Sequence, residues 1–333
     1  MKQVLYHRIF EPKAFGHGGE KRSCQLQEWH EQCGVEIIPL HIKPTTRLSI
    51  VALWHTFWLM LRVYGCSGWK SLYIFMRHVK NTSLIYNQLV EFFQQKEADA
   101  FYWESTRDIW YILPYLANKF GKKIIAFPHN LEALVGGQSS TLFSWDAEQR
   151  FAREMAVLRG CERVYAISNE ETWLLQLMGV NAEALLYQLP AVVKEQCQKV
   201  KERRMQSSKD YYLMLGSAIN PPTRLGMEEV LNNWNRATPL IVAGFGTEQF
   251  KQYESGKVQI LGGVNDEELL ALQLHCKALI VNQPATTGAL TRIEEFLEAG
   301  IPIIANENSI RSYRNREGIN MLTNEFFNGL KIS

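Results

Sequence analysis

The stretch from Ala278 to Ala305 reads ALIVNQPATTGALTRIEEFLEAGIPIIA and decides the fold. It opens with an apolar run, Ala278 to Val281, that predicts a buried strand, and a loop containing Gly288 follows. A helical segment with one basic and several acidic residues comes next, and Ile301 to Ala305 predicts another buried strand. In such a βαβ unit the helix N-terminus is directed at the crevice above the strand ends, where an open α/β sheet holds phosphate. The stretch therefore predicts a nucleotide-type ligand.

The same alternation of short apolar runs and helical patterns continues along the rest of the chain. The predicted strands are Gln3–Tyr6, Val35–Pro39, Ala98–Tyr102, Lys123–Phe127, Arg163–Ile167, Ala184–Leu186, Tyr211–Leu215, Pro239–Ala243, Val258–Leu261, Ala278–Val281, Ile301–Ala305 and Ile319–Leu322. Strands of this kind between helices are typical of parallel sheets covered on both faces. We predict an α/β fold of two Rossmann-like domains, 1–192 and 205–333, that face one another across a cleft. The polar segment Val192 to Asp210 is the predicted linker, because its charges leave little to bury.

Length and composition agree with a two-domain globular protein. The chain has 333 residues and 46% hydrophobic residues, and about 150 residues per domain is usual. A formal net charge of +2 argues against nucleic acid as a partner. The six cysteines form no C-x-x-C pair and predict reduced, buried thiols. Because the N-terminal MKQVLYHRIF lacks the apolar core of a signal peptide, we expect a cytoplasmic protein.

Two segments of the first half place candidate ligand contacts next to strands. Gly18 and Gly19 precede a helical segment, where small residues let backbone amides approach a ligand, although a flexible connection explains them equally well. His129 follows the strand Lys123–Phe127, and the carboxyl end of a parallel strand faces the crevice. A structural histidine is the commoner explanation for such a residue. Ser168 is predicted to be a helix N-cap first and a ligand contact second.

The motifs as a whole resemble those of GT-B glycosyltransferases of the family 4 (group 1) kind. The segment Pro128-His129-Asn130-Leu131-Glu132 is similar to a loop of that family, and the resemblance assigns His129 a catalytic role. Glu295 aligns with the glutamate that is expected to bind the ribose hydroxyls. The backbone of the donor site is expected at Gly18, Gly19, Gly216, Ser217, Gly246, Gly263, Val264, Gly288 and Ala289.

The expected cations differ in part from the pattern of the family. Members often carry Arg-Lys-Gly where this chain has Arg224, Leu225 and Gly226, so one positive charge is missing. Arg292 falls where many members have a lysine, and it suits a diphosphate because arginine forms two parallel hydrogen bonds. A solvated ion pair on the helix is the alternative role for Arg292. Thr287 stands where the first of two glutamates is expected.

The resemblance implies retaining transfer of a sugar from a UDP- or GDP-sugar to a hydroxyl acceptor in polysaccharide or glycolipid biosynthesis. It implies no separate cofactor and no metal, because cations and helix amides stabilise the leaving diphosphate. The acceptor is expected to be a glycan or a lipid-linked molecule. Two alternatives stay open. One is a non-catalytic GT-B subunit that partners another glycosyltransferase, and the other is a nucleotide-sugar epimerase.

The apolar run Leu48 to Val63 bears on contact with a membrane. Its length approaches that of a membrane span, but His55 and Arg62 interrupt it. A buried or interfacial helix is therefore favoured over a span. Of these two, a helix buried in the core is favoured over a helix that makes a peripheral contact with the inner membrane face.

Overall fold

The computed structural model describes residues 2–43, 45, 47–104, 106–313 and 316–327, with Lys2 described by its backbone alone. The chain divides into two compact units. The first unit extends to Tyr187, and the second begins at Gln188.

The first unit contains a six-stranded sheet in which every strand pair is parallel. The strands are β1 (Lys2–His7), β2 (Val35–Pro39), β3 (Ala100–Glu104), β4 (Lys123–Phe127), β5 (Arg163–Ala166) and β6 (Ala182–Ala184). The helices are α1 (Gly18–Gln32), α2 (Ile50–Tyr64), α3 (Leu72–Ser83), α4 (Tyr86–Gln94), α5 (Ile112–Lys119), α6 (Ala147–Arg159) and α7 (Asn169–Leu177). The strand order is β2-β1-β3-β4-β5-β6, so β2 lies on one side of β1 and the later strands lie on the other side. Such a switch point opens a crevice at the carboxyl ends of the two strands.

The second unit repeats this architecture with another six-stranded parallel sheet. Its strands are β7 (Tyr211–Leu215), β8 (Leu240–Ala243), β9 (Val258–Gly262), β10 (Cys276–Val281), β11 (Ile303–Ala305) and β12 (Ile319–Met321). Its helices are α8 (Ala191–Arg204), α9 (Pro221–Asn233), α10 (Asp266–His275), α11 (Thr291–Glu298), α12 (Glu307–Ile310) and α13 (Asn324–Phe327). The order β12-β11-β10-β7-β8-β9 is that of a Rossmann fold, with the switch point between β7 and β10.

Every predicted strand is present, so the prediction of two α/β sheets is confirmed. Two strands differ most from the prediction: β6 ends at Ala184, where it was predicted to begin, and β3 was expected to end at Tyr102 but continues to Glu104. All five of its residues are buried, including the charged Glu104, so the apolar pattern alone sets its end too early.

The prediction of a linker at 192–210 was wrong over most of its length. Residues from Ala191 to Arg204 form α8, which packs against α10 and α11 of the second unit. Val193, Cys197 and Val200 are buried at spacings of three and four residues, which is the period of one helix face. This narrow stripe lies among many charges, which concealed it in the composition.

The expectation of a helix within Leu48 to Val63 is confirmed by α2, whose first turn is capped by the Ser49 hydroxyl. Within the described ranges, no helix is long and apolar enough to cross a membrane. The six cysteines are all free thiols, but Cys33 and Cys66 are exposed, contrary to the expectation that they are buried. Both lie just after the last residue of a helix, Cys33 after α1 and Cys66 after α2.

Candidate functional site

The carboxyl ends of β7 and β10 define the crevice of the second unit. Gly216 follows β7, and Asn282 follows β10. The helix α9 closes the crevice from one side at very short range, because a Cβ atom placed on Gly226 would lie 1.6 Å from the Asn282 carbonyl oxygen. Gly226 therefore serves the packing of a helix against a strand end, which is one of the roles of glycine in dinucleotide-binding folds.

Arg292 lies in this crevice. A Cβ atom placed on Gly216 would be 3.3 Å from Arg292 Nη1 and 3.0 Å from the Thr223 side chain, so the guanidinium lies beside the end of β7. Burial lowers the pKa of Arg292 to about 10, which leaves it charged at neutral pH. Arg292 Nε is buried and has no hydrogen-bond partner among the residues that the structure describes. An anion that binds at this switch point would therefore meet the positive charge of Arg292 and its Nε donor.

A hydrogen-bond network fixes the walls of the crevice. The Gln283 side-chain amide donates to Thr223 Oγ1 at 2.8 Å, and the Asn306 amide donates to the Gln283 carbonyl at 2.7 Å. Asn282 Nδ2 donates to Glu229 Oε2 at 2.9 Å. These bonds connect α9 to the segments that follow β10 and β11. A crevice held in this way is preorganised for its ligand.

The loop that carries Gly288 and Ala289 is held through its carbonyl groups. Arg311 donates to the Gly288 carbonyl, and the Tyr313 hydroxyl donates to the Leu290 carbonyl at 3.1 Å. Gly288 has a φ of 85°, a left-handed conformation that favours glycine. The loop leads directly into α11, whose first turn contains Arg292.

The other predicted backbone contacts of the second unit are distributed along the same sheet. Ser217 is exposed just after Gly216, and Gly246 has a φ of 81° at the start of the 3-10 helix Thr247–Tyr253. The loops after β7 and β8 touch closely, since Ala218 donates to the Phe245 carbonyl at 2.9 Å. Phe245 is 68% exposed. This aromatic ring on the crevice edge was not among the predicted site residues.

Gly263 and Val264 follow β9, at the edge of the sheet. The Gly263 amide donates to Glu248 Oε1 at 3.1 Å, and backbone hydrogen bonds lower the pKa of Glu248. A carboxylate therefore already occupies the amide for which a ligand contact was predicted.

Arg224 and Glu295 differ in burial. Arg224 lies on α9 and forms an exposed ion pair with Glu228 at 3.2 Å. Leu225, at the position of the missing cation, is 47% exposed. Glu295 is buried on α11, where its charge is close enough to act on the pKa of Arg292. The structure thus brings Arg292, Gly216 and Glu295 together and leaves Arg224 partly in solvent.

The first unit has its own polar cluster at the switch point between β1 and β3. Glu104 is fully buried and accepts hydrogen bonds from Tyr6 Oη, Ser23 Oγ and His129. Burial acts to raise the pKa of Glu104, but the bonds from His129, Ser23 and Tyr6 outweigh it, and the pKa is lowered. Glu104 was missed by the sequence analysis. A carboxylate directly after a strongly apolar strand is the signal that would have identified it.

His129 lies at the end of β4, in the crevice region where it was predicted. Its Nε2 is 2.8 Å from Glu104 Oε1, and its ring stacks on Phe10 with 5.6 Å between the centroids. Among the described residues, its buried Nδ1 has no hydrogen-bond partner.

Arg22 is the second charged residue in this buried cluster. Its side chain is 1% exposed, and Nη1 donates to Gln25 Oε1 at 2.5 Å. Its Nε and Nη2 have no hydrogen-bond partner. Burial lowers the pKa of Arg22 to about 10, against an opposing effect of Glu104.

The helix N-terminus at Gly18 and Gly19 is already capped. His17 Nδ1 accepts from the Gly19 amide at 3.1 Å, and Glu20 completes a capping box. A Cβ atom on Gly19 would lie 2.7 Å from the Phe10 ring. Close approach of this ring explains the small residue, and a ligand contact at Gly18 or Gly19 stays a prediction. Ser168 caps α7 through a bond from the Glu171 amide at 3.2 Å, which confirms its predicted role as an N-cap.

A polar pocket of about 110 Å³ lies beside the cluster. Arg107, Glu132 and Arg150 are among its lining residues. Arg107 lies 5.8 Å from the centroid of the Phe10 ring, which in turn covers His129. Charges of both signs around a small opening suit a ligand with several hydroxyl groups.

Comparison with known proteins relates the chain to others through its fold. No protein-family model matches the sequence, and no curated protein matches it. Among solved structures, HepE of Anabaena in complex with UDP is similar with a TM-score of 0.59 and 11% identity, over 99% of this chain and 89% of that one. Sucrose-phosphate synthase of Thermosynechococcus elongatus has a TM-score of 0.60 and 13% identity, with 98% and 87% coverage. WaaG, a glycosyltransferase involved in lipopolysaccharide biosynthesis, has a TM-score of 0.54 and 13% identity, over 98% of this chain and 89% of that one.

These similarities extend over nearly the whole chain and include both sheets. The chain therefore has the fold of GT-B glycosyltransferases, as predicted. At these identities the comparison establishes the fold alone.

Proposed function

We propose that the protein is a glycosyltransferase that uses a nucleoside-diphosphate sugar as donor. The observation that carries the proposal is the position of Arg292, a charged residue with an unused Nε donor beside Gly216 at the switch point of the second unit. The fold adds support, because HepE has this fold and its structures contain UDP and UDP-glucose.

The diphosphate is proposed to bind at Arg292 and the loop of Gly288 and Ala289. An arginine contributes to the reaction by stabilising the negative charge that grows on the leaving phosphate as its bond to the anomeric carbon breaks. The acceptor oxygen forms the new bond to that carbon and gives its proton to the departing phosphate oxygen, and the nucleoside diphosphate leaves. We propose that helix amides and arginine stabilise the leaving diphosphate without a metal. We also propose that the transfer retains the configuration at the anomeric carbon.

The nucleoside is proposed to bind along the neighbouring strand ends. Glu295 accepts hydrogen bonds from the ribose hydroxyls in this arrangement. Phe245 offers an exposed ring of the kind on which a base stacks.

In the first unit, we assign the pocket beside Arg107 and Glu132 to hydroxyl groups of the acceptor, which is proposed to be a glycan or a lipid-linked molecule. His129 is held by Glu104 and is proposed to contact a sugar hydroxyl. The Glu104 carboxylate is fully hydrogen-bonded, so it positions His129 and is not free for the acid–base chemistry that an epimerase needs.

A non-catalytic subunit is the second candidate. It is favoured by Leu225, an exposed apolar side chain where a cation is expected, and by Thr287 in place of a carboxylate. Release of nucleoside diphosphate from a donor by the purified chain alone distinguishes the two candidates, because only the enzyme produces it.

A thermal-shift screen of nucleotides and nucleotide sugars tests the proposal. A ligand at 100 times its dissociation constant stabilises a protein by about 2.7 kcal/mol, which is readily detected. We expect UDP- or GDP-sugars and the matching diphosphate to stabilise the chain. Stabilisation by NAD, with no effect of any nucleotide sugar, would contradict the proposal.

A further inference from the structure

The outer face of α2 is apolar. Ile50, Val51, Trp54 and Trp58 are 84%, 65%, 60% and 46% exposed. Their spacing places them on one side of the helix, and the buried residues Ala52, Thr56, Leu59, Met60 and Tyr64 lie on the other. A helix that is apolar on all sides is normally covered on all sides, by protein or by lipid. The exposed side of α2 therefore indicates a surface that becomes covered.

The neighbouring helix α3 extends this apolar surface. Leu72, Tyr73 and Met76 are 75%, 71% and 44% exposed. The two helices pack together, with 5.6 Å between the ring centroids of Phe57 and Phe75. We call the exposed apolar residues of α2 and α3 the apolar face.

The charge around the apolar face has one sign. No Asp or Glu occurs between Glu36 and Glu91, although the whole chain is nearly balanced with 36 basic and 34 acidic residues. The basic residues of this interval are Lys43, Arg47, Arg62, Lys70, Arg77 and Lys80. In the described part of the chain none of these six pairs with a carboxylate. A segment with basic residues and no acidic residues attracts a negatively charged surface.

A basic pocket opens next to the apolar face. It has a volume of about 230 Å³ and includes Arg62 and Lys119, with Trp58 and Tyr115 in its wall. His55 also lines it and stacks on Tyr86 with 5.9 Å between the centroids. In the part of the chain that the structure describes, no carboxylate lines this pocket. Two cations within aromatic walls suit a phosphate group that is attached to an apolar body.

We propose that α2 and α3 bind the surface of a membrane that contains anionic phospholipids. The apolar face enters the boundary between headgroups and acyl chains, and the pocket of Arg62 and Lys119 holds a lipid phosphate. The helix α2 has 15 residues, fewer than the roughly 20 that span a bilayer, so it lies in the plane of the membrane. The proposal is independent of the donor site in the second unit.

Charge favours a membrane over a second copy of the chain. In a twofold dimer the same patch faces itself, so unpaired cations would be placed opposite unpaired cations. Exposed tryptophans beside arginine and lysine are the residues that anchor helices at a lipid interface.

Flotation of the full chain with lipid vesicles tests the proposal. We expect binding to vesicles of phosphatidylcholine with phosphatidylglycerol, much weaker binding to phosphatidylcholine alone, and release at high salt. Inorganic phosphate at equal ionic strength should not release the protein more than chloride does, because the surface recognises lipid and not the free anion.

Two pairs of double variants separate the apolar and electrostatic contributions. Ile50→Ser/Trp54→Ser should weaken binding at least about tenfold, and Trp173→Ser/Leu177→Ser, at residues with 64% and 63% exposure, should not. Arg62→Gln/Lys119→Gln should weaken binding to anionic vesicles by roughly tenfold or more. The matched change Lys96→Gln/Lys257→Gln, at exposed lysines elsewhere, should have little effect.

Three results would overturn the proposal. The first is equal binding to neutral and anionic vesicles. The second is an equal effect of the test and control variants, with folding of each checked by circular dichroism. The third is a dimer that is dissociated by Ile50→Ser/Trp54→Ser while the wild type does not float, which would assign the apolar face to self-association. Stabilisation by nucleotide sugars should be unchanged in all four variants.

Discussion

Arg292 is the residue on which the proposed donor site depends most. Arg292→Ala should weaken binding of the nucleoside diphosphate by about 1.5–3 kcal/mol, which is typical of a hydrogen bond to a charged group. Arg292→Lys should lie between the wild type and the alanine variant, because the charge remains and the two-pronged geometry is lost. Calorimetric titration measures both effects.

Arg316→Ala is the matched control for this prediction. Arg316 is 51% exposed and pairs at 2.8 Å with Glu294, which lies on α11 together with Arg292. Loss of such a surface pair has little energetic effect, and nucleotide affinity should be unchanged. Equal losses in the two variants would show that Arg292 has no particular role at the site.

Glu295 is predicted to bind the ribose. Glu295→Ala should weaken nucleotide binding by about 1.5–3 kcal/mol. The helix should survive, because alanine is the better helix former. An unchanged affinity in calorimetry would refute this assignment.

Phe245 is predicted to stack on the nucleobase. Phe245→Ala should reduce nucleotide affinity by about 1–3 kcal/mol without loss of stability, because the ring is 68% exposed. Met321→Ala, at an exposed apolar residue on β12, is the control and should leave affinity unchanged. If both variants bind nucleotide as the wild type does, the base lies elsewhere.

At the scale of elements, the packing of α9 against the end of β10 shapes the crevice in which the donor is proposed to bind. Gly226→Ala should destabilise the second unit by about 3 kcal/mol or more, because its Cβ would overlap the Asn282 carbonyl oxygen at 1.6 Å. Gly256→Ala is the control, because no atom lies within 4 Å of its Cβ. Chemical denaturation compares the two, and similar midpoints would show that α9 shifts freely.

The helix α6 holds the loop after β4 through Glu154, which accepts hydrogen bonds from the Glu132 and Ala133 amides at 2.9 Å each. Burial raises the pKa of Glu154 to about 8 from an ordinary value of 4.5. The folded protein therefore keeps a proton that the unfolded chain loses above pH 4.5. The resulting stability is complete below that pH and is lost as pH rises through about 8.

Glu154→Gln removes this titration. Between pH 5 and pH 8 the free energy of unfolding of the wild type should fall relative to the glutamine variant by about 1.4 kcal/mol per pH unit at most. Denaturation curves across this range measure the difference. A constant difference would mean that the carboxyl is ionised throughout.

The strands could be predicted from sequence because each is a short apolar run between helical segments, and all twelve are present. Elements with mixed signals were harder to predict. The helix α8 hides a narrow apolar stripe among charges, and β3 continues into the charged Glu104. Burial of a charge is decided by partners such as Tyr6 and Ser23, which are distant in sequence. Local patterns contain no information about such partners.

The same distinction applies to the site. Arg292 and Gly216 were predicted as site residues because each follows a strand and glycine or arginine suits phosphate, and the structure places them side by side. Two features were not foreseen, the capping of the Gly19 amide by His17 and the bond from the Gly263 amide to Glu248. Both depend on which side chain lies within hydrogen-bond distance of the amide in the folded chain, and the sequence does not show this.

At the scale of the whole molecule, the chain has the GT-B fold with only 9–14% identity to its structural neighbours. A fold can persist at this distance because alternating apolar strands and helices are enough to specify it. Function depends on a small number of residues, so it must be tested at the site itself.

The structure of the full chain with UDP or GDP bound tests the central claim most directly. We predict that the diphosphate lies within hydrogen-bond distance of the Arg292 guanidinium, next to Gly216, with the base against Phe245. A nucleotide bound away from the carboxyl ends of β7 and β10, or no binding of either nucleotide, would contradict it.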